Sequence, residues 1–284
     1  MSAGTPTDDD VPIPTDCPDV DGMPMLGLGT WKLTDPEATP QTVADALDMG
    51  YRHIDTARSY DNEHLVGRGI EQSTVDREDV FLATKIWKSD LSFEDAIEAA
   101  NDAVDALRVD SIDLLYVHWP AEAYDPQDTF QAFDELVDEG ITDRIGVANF
   151  EPEQLAEAVD YADHDIFANQ FECHPMLQQT AIREACEAHG VEPVAYSPLA
   201  RGEVFGREVI SDIAGDHNVS EAQVSLAWLR ERGITAIPKA STTEHLHDNW
   251  LSLSLQLNDG ELEELDAMTE NARQVTPDFG PWNR

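Results

Sequence analysis

The chain has 284 residues, 41% of them hydrophobic, and sets 58 Asp and Glu against 17 Lys and Arg for a formal net charge of −41. That balance excludes nucleic acid as a partner, because phosphates would be repelled. The apolar share suffices for a full core, which argues against an acidic disordered chain, and no run nears the roughly 18 apolar residues that a membrane helix needs.

In chain order, "MSAGTPTDDDVPIPTDCPDVDG" (1–22) is rich in Pro, Thr and Asp and reads as an acidic flexible arm. It has neither the basic start nor the apolar stretch of a signal peptide, so a cytoplasmic protein is expected. From Met23 onward, short apolar runs recur: "PMLGLGT" (24–30), "YRHIDT" (51–56), "VFLATK" (80–85), "DLLYVH" (113–118), "RIGVAN" (144–149), "IFANQFE" (166–172), "EPVAYS" (192–197) and "ITAIPK" (234–239). Each has strand length, and amphipathic segments separate them. In "SFEDAIEAANDAVDALRV" the apolar Ile97, Ala100, Val104 and Leu107 fall at helical spacing, with Ser92 as N-cap and acids in the first turn. The segments "PQDTFQAFDELVDEG", "TAIREACEAHG" and "SEAQVSLAWLRERG" end in Gly140, Gly190 and Gly233, which suit helix C-termini.

Strand–helix alternation repeated eight times implies parallel strands with right-handed crossovers. An open doubly wound sheet should carry GxGxxG after its first strand, and "GLGTWK" (27–32) fails at the last position. The strand count and length favour a closed (β/α)8 TIM barrel over residues 23–284, a single α/β domain. The cysteines, Cys17, Cys173 and Cys186, form no metal-binding spacing and read as reduced thiols; no metal site is indicated. The acidity suits a salty, halophilic cytoplasm, since at about 1 M salt the Debye length is roughly 3 Å and self-repulsion is screened. Against that surface the four lysines, Lys32, Lys85, Lys88 and Lys239, stand out.

The chemistry of such barrels lies at the C-terminal strand ends. Those ends read Thr30, Asp55, Lys85, His118, Asn149, Gln170, Tyr196 and Lys239. Singly, each has a plain explanation: Asp55 as a helix cap, His118 as a hydrogen-bonded core histidine, Lys85 as a surface lysine, Asn149 as a cap for the helix near Glu151. Jointly they converge on one mouth. Tyr60, just past Asp55, is a weak acid with an ordinary pKa of about 10. An ammonium at Lys85, held by Asp55, would lower it. With His118 orienting a carbonyl, Tyr60 could protonate an oxygen that gains charge as hydride arrives at its carbon.

Here the motifs "LGLGTW", "GYRHIDTARSYDNEHLVG", "TKIW", "DLLYVHWP", "IGVANF", "NQFECHP", "AYSPLARG", "IPKASTTEHLHDN" and "VTPDFGPW" become informative together. The chain resembles the aldo-keto reductases, most of all their prokaryotic 2,5-diketo-gluconate and methylglyoxal reductase group, from Met23 to the C-terminus. The resemblance implies a tetrad of Asp55, Tyr60, Lys85 and His118 with Tyr60 as general acid. It implies that Asn149 and Gln170 bind a nicotinamide carboxamide, that Tyr196 stacks on the ring, and that Ser197, Leu199 and Gly202 wrap the pyrophosphate with Arg201 as an added cation. Lys239, with Ala240, Ser241 and His245 near it, would meet the adenosine ribose or its 2′-phosphate, and Asp248 and Asn249 the adenine. Substrate contacts would fall on Trp31, Trp87, His118 and Trp119, the tail adding Trp282. A small carbonyl compound is the implied partner, and a monomer the default.

Two departures from the family pattern bear on the cofactor. Ala148 stands where "GVSNF" has serine, a loss of one hydrogen bond worth on the order of 1 kcal/mol. Ala240 and His245 stand where a serine and an arginine are usual, and histidine grips a 2′-phosphate less well than the arginine fork. NADPH is favoured through Lys239, with NADH as the alternative. Two rival functions share the barrel: a nicotinamide-binding regulatory or scaffold protein without turnover, and a Schiff-base aldolase using Lys85. The intact tetrad argues against the first, and the second leaves Asn149, Gln170 and Tyr196 without a task.

Overall fold

A computed structural model describes residues 14–268 and 270–283. After a two-strand hairpin, β1 (Asp19–Val20) and β2 (Met23–Pro24), eight parallel strands follow: β3 (Leu28–Gly29), β4 (His53–Asp55), β5 (Phe81–Ile86), β6 (Leu114–Val117), β7 (Ile145–Ala148), β8 (Ile166–Glu172), β9 (Glu192–Tyr196) and β10 (Thr235–Ala236). Each pairs with the next in chain order. The ring closes between β3 and β10, where Gly27 N–H donates to the Ala236 carbonyl at 2.9 Å and Ala236 N–H to that of Met25 at 2.8 Å. The expected (β/α)8 barrel is the observed fold. Its first and last strands are shorter than their apolar runs, because Pro238 offers no N–H to continue a ladder. A Cβ on Gly29 would stand 2.6 Å from the Ile237 carbonyl, so the seam closes only over glycine.

Helices α1 (Ala38–Met49), α2 (Glu63–Gln72), α3 (Phe93–Leu107), α4 (Pro126–Asp138), α5 (Pro152–Tyr161) and α6 (Thr180–His189) alternate with the strands, and α7 (Glu208–His217) and α8 (Glu221–Glu231) precede β10. Then come α9 (Thr243–Leu251) and α10 (Asp259–Asp266). Local chemistry accounts for their ends. Ser92 occupies the N-cap position of α3 on an extended backbone, but its hydroxyl donates to the Asp95 carboxylate at 2.5 Å and accepts from no backbone N–H, whereas Gly140, Gly190 and Gly233 all take positive φ after α4, α6 and α8. No helix among the described residues is long and apolar enough to cross a membrane.

Strand parity divides the core. Leu82, Ile86, Leu115, Val117, Ile145 and Val147 face outward into a continuous layer beneath the helices. Phe81, Ala83, Leu114, Tyr116, Ala148, Ala168 and Val194 fill the barrel. Gly146 makes room for Tyr116, since a Cβ there would meet its ring at 2.5 Å. The inward series then turns polar at the top: Asp55 follows His53, Lys85 follows Ala83, Gln170 follows Ala168, and Tyr196 follows Val194.

Of the arm expected over 1–22, residues 1–13 lie outside the described residues. The rest packs on the barrel: the Pro14 carbonyl accepts from Trp250 Nε1 at 2.9 Å, and Pro18's from Met25 N–H at 2.8 Å. Arg144 lays its guanidinium 4.4 Å from the Phe167 ring at the bottom of the barrel.

Candidate active site

The inward polar ends meet in a cavity of about 870 Å³ at the C-terminal mouth. At its floor, Lys85 Nζ donates to Asp55 Oδ1 at 2.5 Å and to the Thr56 carbonyl at 2.7 Å. Both side chains are almost fully buried. Asp55 Oδ2 accepts from Gln170 Nε2 at 2.8 Å, so the carboxylate ties β4 to β5 and, across the barrel, to β8. Pairing is what allows these charges to be buried.

Tyr60 ends a short 3-10 turn, Arg58–Tyr60, that follows β4. Its ring stands 5.9 Å from that of His118 at 78°, with Lys85 Nζ 5.6 Å from its centroid. Asp55, Tyr60 and His118 line the cavity, and Lys85 is joined to it through Asp55. The Tyr60 pKa is raised, against the lowering expected from a nearby Lys85. Burial pushes it well above the ordinary phenol value, and the negative charge of Asp55 pushes the same way, with the neighbouring Tyr196 adding to the rise. Lys85 spends its charge on Asp55, and burial holds its own pKa below the usual lysine value. His118 is pushed well below the ordinary histidine value, by burial first and by Lys85 second, so the ring is neutral. Ser59 Oγ lies 3.4 Å from its Nδ1.

The residues expected to hold a nicotinamide sit on the adjoining wall. Asn149 takes a left-handed φ of 66°, which asparagine tolerates better than most side chains. Its Nδ2 donates to the His118 carbonyl at 3.0 Å, and its Oδ1 accepts from Tyr196 OH at 2.7 Å. Gln170, Tyr196, Ser197, Leu199, Arg201, Gly202 and Lys239 also line the cavity. The loop after β9 runs through positive φ at Ser197, Ala200, Arg201 and Gly202. Trp31 carries Lys32 Nζ at 4.3 Å and the Arg201 guanidinium at 4.6 Å from its ring centroid. Asp55, already paired, is the only carboxylate among the described lining residues, against 58 acids in the chain. The cavity is therefore a cationic inlet in an anionic surface, and burial and the Lys32 charge lower the Lys239 pKa.

Trp31, Trp87 and Trp119 line the same cavity. Trp282 packs on Trp119 at 5.7 Å and itself is not a lining residue. Ala240, Ser241, His245, Asp248 and Asn249 also lie outside the lining. Ala240 and Asn249 are buried, whereas Ser241 and His245 are exposed beside the start of α9. The Asp248 carboxylate accepts from Ser220 Oγ at 2.8 Å and Gln223 Nε2 at 2.6 Å, which commits it to the start of α8. Among the lining residues that sequence reasoning left without a role are Lys32, Ser59, Phe205 and Val275. Lys32 left a signal as one of the rare lysines, and Ser59 and Val275 lie within motifs that the resemblance rests on.

An aldo/keto reductase family model matches residues 25–270. The chain belongs to the aldo/keto reductase family. As a member it is an NAD(P)H-dependent oxidoreductase that reduces carbonyl groups. This reductase is 39% identical over 254 residues to the 9,11-endoperoxide prostaglandin H2 reductase of Trypanosoma cruzi (strain CL Brener), covering 88% of this chain and 89% of that protein. It is 36% identical over 260 residues to the methylglyoxal reductase DkgB of Salmonella typhi, covering 90% of this chain and 97% of that one. Among solved structures, MGS-M4, an aldo-keto reductase enzyme from a Medee basin deep-sea metagenome library, superposes with a TM-score of 0.86 at 33% identity. That match covers 90% of this chain and 95% of the other.

Proposed function

We propose that this reductase uses NADPH to reduce small aldehydes and ketones, dicarbonyls such as methylglyoxal or keto-sugars, with Tyr60 as the general acid. The observation that carries the reading is that one cavity is lined by Tyr60 and His118, by Asn149, Gln170 and Tyr196, and by the cations Lys32, Arg201 and Lys239. The donor set fits a dinucleotide phosphate. Amides at Asn149 and Gln170 suit a carboxamide, and the Tyr196 ring offers a stacking face. Lys32, Arg201 and Lys239 suit phosphates, and in so acidic a chain their gathering is a specific investment. When bound, the nicotinamide supplies the hydride for the carbonyl carbon.

The chain's own residues do the rest. Neutral His118 orients the carbonyl oxygen toward Tyr60. The raised Tyr60 pKa keeps the phenol protonated across the physiological range, so a proton is in hand when charge develops on that oxygen. Lys85, paired with Asp55 and with Nζ 5.6 Å from the Tyr60 ring centroid, fixes the floor of the site beneath the phenol. The tryptophans give the substrate an apolar wall that excludes water.

Oxidation of NADPH and, in parallel, NADH in molar KCl with methylglyoxal and a small carbonyl panel tests this directly. NADPH consumption by wild type and not by Tyr60→Phe is the expected result. Equal use of NADH would overturn the cofactor preference and point to His245 as its cause. Cofactor binding without turnover on any carbonyl would sink the catalytic reading in favour of a regulatory barrel.

A further inference from the structure

Glu172 ends β8, two residues beyond Gln170 on the same inward face, and it is fully buried. It touches none of the tetrad by hydrogen bond. Instead its Oε1 accepts from Gln274 N–H at 2.6 Å and its Oε2 from Val275 N–H at 2.8 Å, across about a hundred residues of chain. His174, equally buried, places Nε2 at 3.2 Å from Oε1. A carboxylate only accepts, so Nε2 carries the imidazole proton. A buried carboxylate is costly unless its oxygens are satisfied, and here the satisfaction comes from the C-terminal tail and one histidine. Two successive amides on two oxygens fix both the position and the direction of the tail backbone.

From the clasp onward, the tail reaches the substrate side. Val275 lines the cavity. Phe279 stands edge-on to Trp119 at 5.2 Å and to Trp87 at 6.2 Å. One strand thus carries both Gln170 and the anchor of the segment that packs on Trp87 and Trp119.

We propose that Glu172 is a positioning residue for carbonyl reduction: with His174 it clasps the tail backbone at Gln274 and Val275 and so sets the substrate wall. This rests on the reading of the cavity as the carbonyl site. Glu172→Gln leaves one acceptor oxygen for two tail amides whichever way the new amide turns. Gln274→Pro removes one N–H from the tail and leaves the buried carboxylate in place.

The test combines amide hydrogen exchange over the tail with steady-state kinetics of full-length wild type, Glu172→Gln, Gln274→Pro and the double variant. Exchange at Gln274 and Val275 should be slow in wild type and at least about tenfold faster in Glu172→Gln. The carbonyl KM should rise about tenfold or more in each single variant, while kcat and the cofactor Kd change less than about threefold. The double variant should be no worse than the poorer single, because both break the same contact. Multiplying effects, an equal loss of cofactor affinity, or a loosened tail with an unchanged KM would each overturn the role. Should Glu172→Gln fail to fold, an unchanged KM in Gln274→Pro overturns it alone. A wild type that reduces no carbonyl sinks the functional reading, and this role with it, while the exchange data still decide whether the clasp exists.

Discussion

The two ends of the barrel use the same residue types for opposite purposes. At the bottom, His53 on β4 packs edge-on to Phe81 at 5.1 Å, and Arg144 covers Phe167 and Phe81 beneath the β1–β2 hairpin. At the top, His118 meets the edge of Trp87 at 5.0 Å, and Lys85 sits near Tyr60. Each end thus holds a buried histidine, a cation and aromatic rings. The barrel interior at the bottom is filled, with Met23 fully buried against the interior cluster, and the hollow of about 470 Å³ beside Arg144 and Phe167 holds, among the described residues, no counterpart to the Lys85–Asp55 pair, whereas the top opens into the cavity of about 870 Å³. Chemistry requires room for a substrate beside converging strand-end groups, and the top brings the larger cavity together with the Asp55, Tyr60 and His118 set. Barrels of this kind divide stability and function between their faces in the same way.

The contrast is broken most sharply by paired substitutions. Tyr60→Phe should lower kcat/KM by about 10²–10⁴-fold with an unchanged melting temperature, whereas Phe81→Ala should cost about 3–5 kcal/mol of stability and leave the turnover of folded molecules intact. Steady-state kinetics beside denaturant melts separate the two. Lys85→Met strands a buried Asp55 and should cost about 3–5 kcal/mol as well as activity. Arg144→Met at the other end loses a cation–ring contact and should cost about 0.5–2 kcal/mol, with activity kept.

Acidification should treat the two ends alike. His53 and His118 are both held below the ordinary histidine pKa, burial being the first cause in each. Below about pH 6.5 the unfolded chain takes up protons that the folded chain refuses, so stability falls as pH falls, by about 1.4 kcal/mol per pH unit for each histidine. It is fully present above that pH. Denaturant midpoints between pH 7.5 and 5.5 in wild type and in His53→Gln should show the slope and its reduction. The smallest effect concerns the cofactor wall: Ala148→Ser should tighten nicotinamide binding by about 1 kcal/mol, roughly fivefold in Kd, measured by fluorescence titration.

Much of this was legible along the chain because strand parity is a local property. Asp55, Lys85, His118, Gln170 and Tyr196 could be placed at one mouth from apolar runs ending in polar residues, and strands of period two aim those residues inward. The direction of the Tyr60 shift was not legible. Sequence shows that Lys85 is near in the fold, but the balance between its charge and burial depends on how deeply the phenol is enclosed. Nor was the commitment of Asp248 to Ser220 and Gln223, which is set by how α8 packs against α9.

The sequence by itself determined the barrel, its eight strands and the identity of the polar ring at their ends, because hydrophobic period and strand-end chemistry are written within a few residues of each other. Only the tertiary structure decided which of those groups are neutral, where the cations gather, and how the tail is fastened. Those outcomes depend on burial and on contacts such as Glu172 with Gln274, which no local pattern encodes.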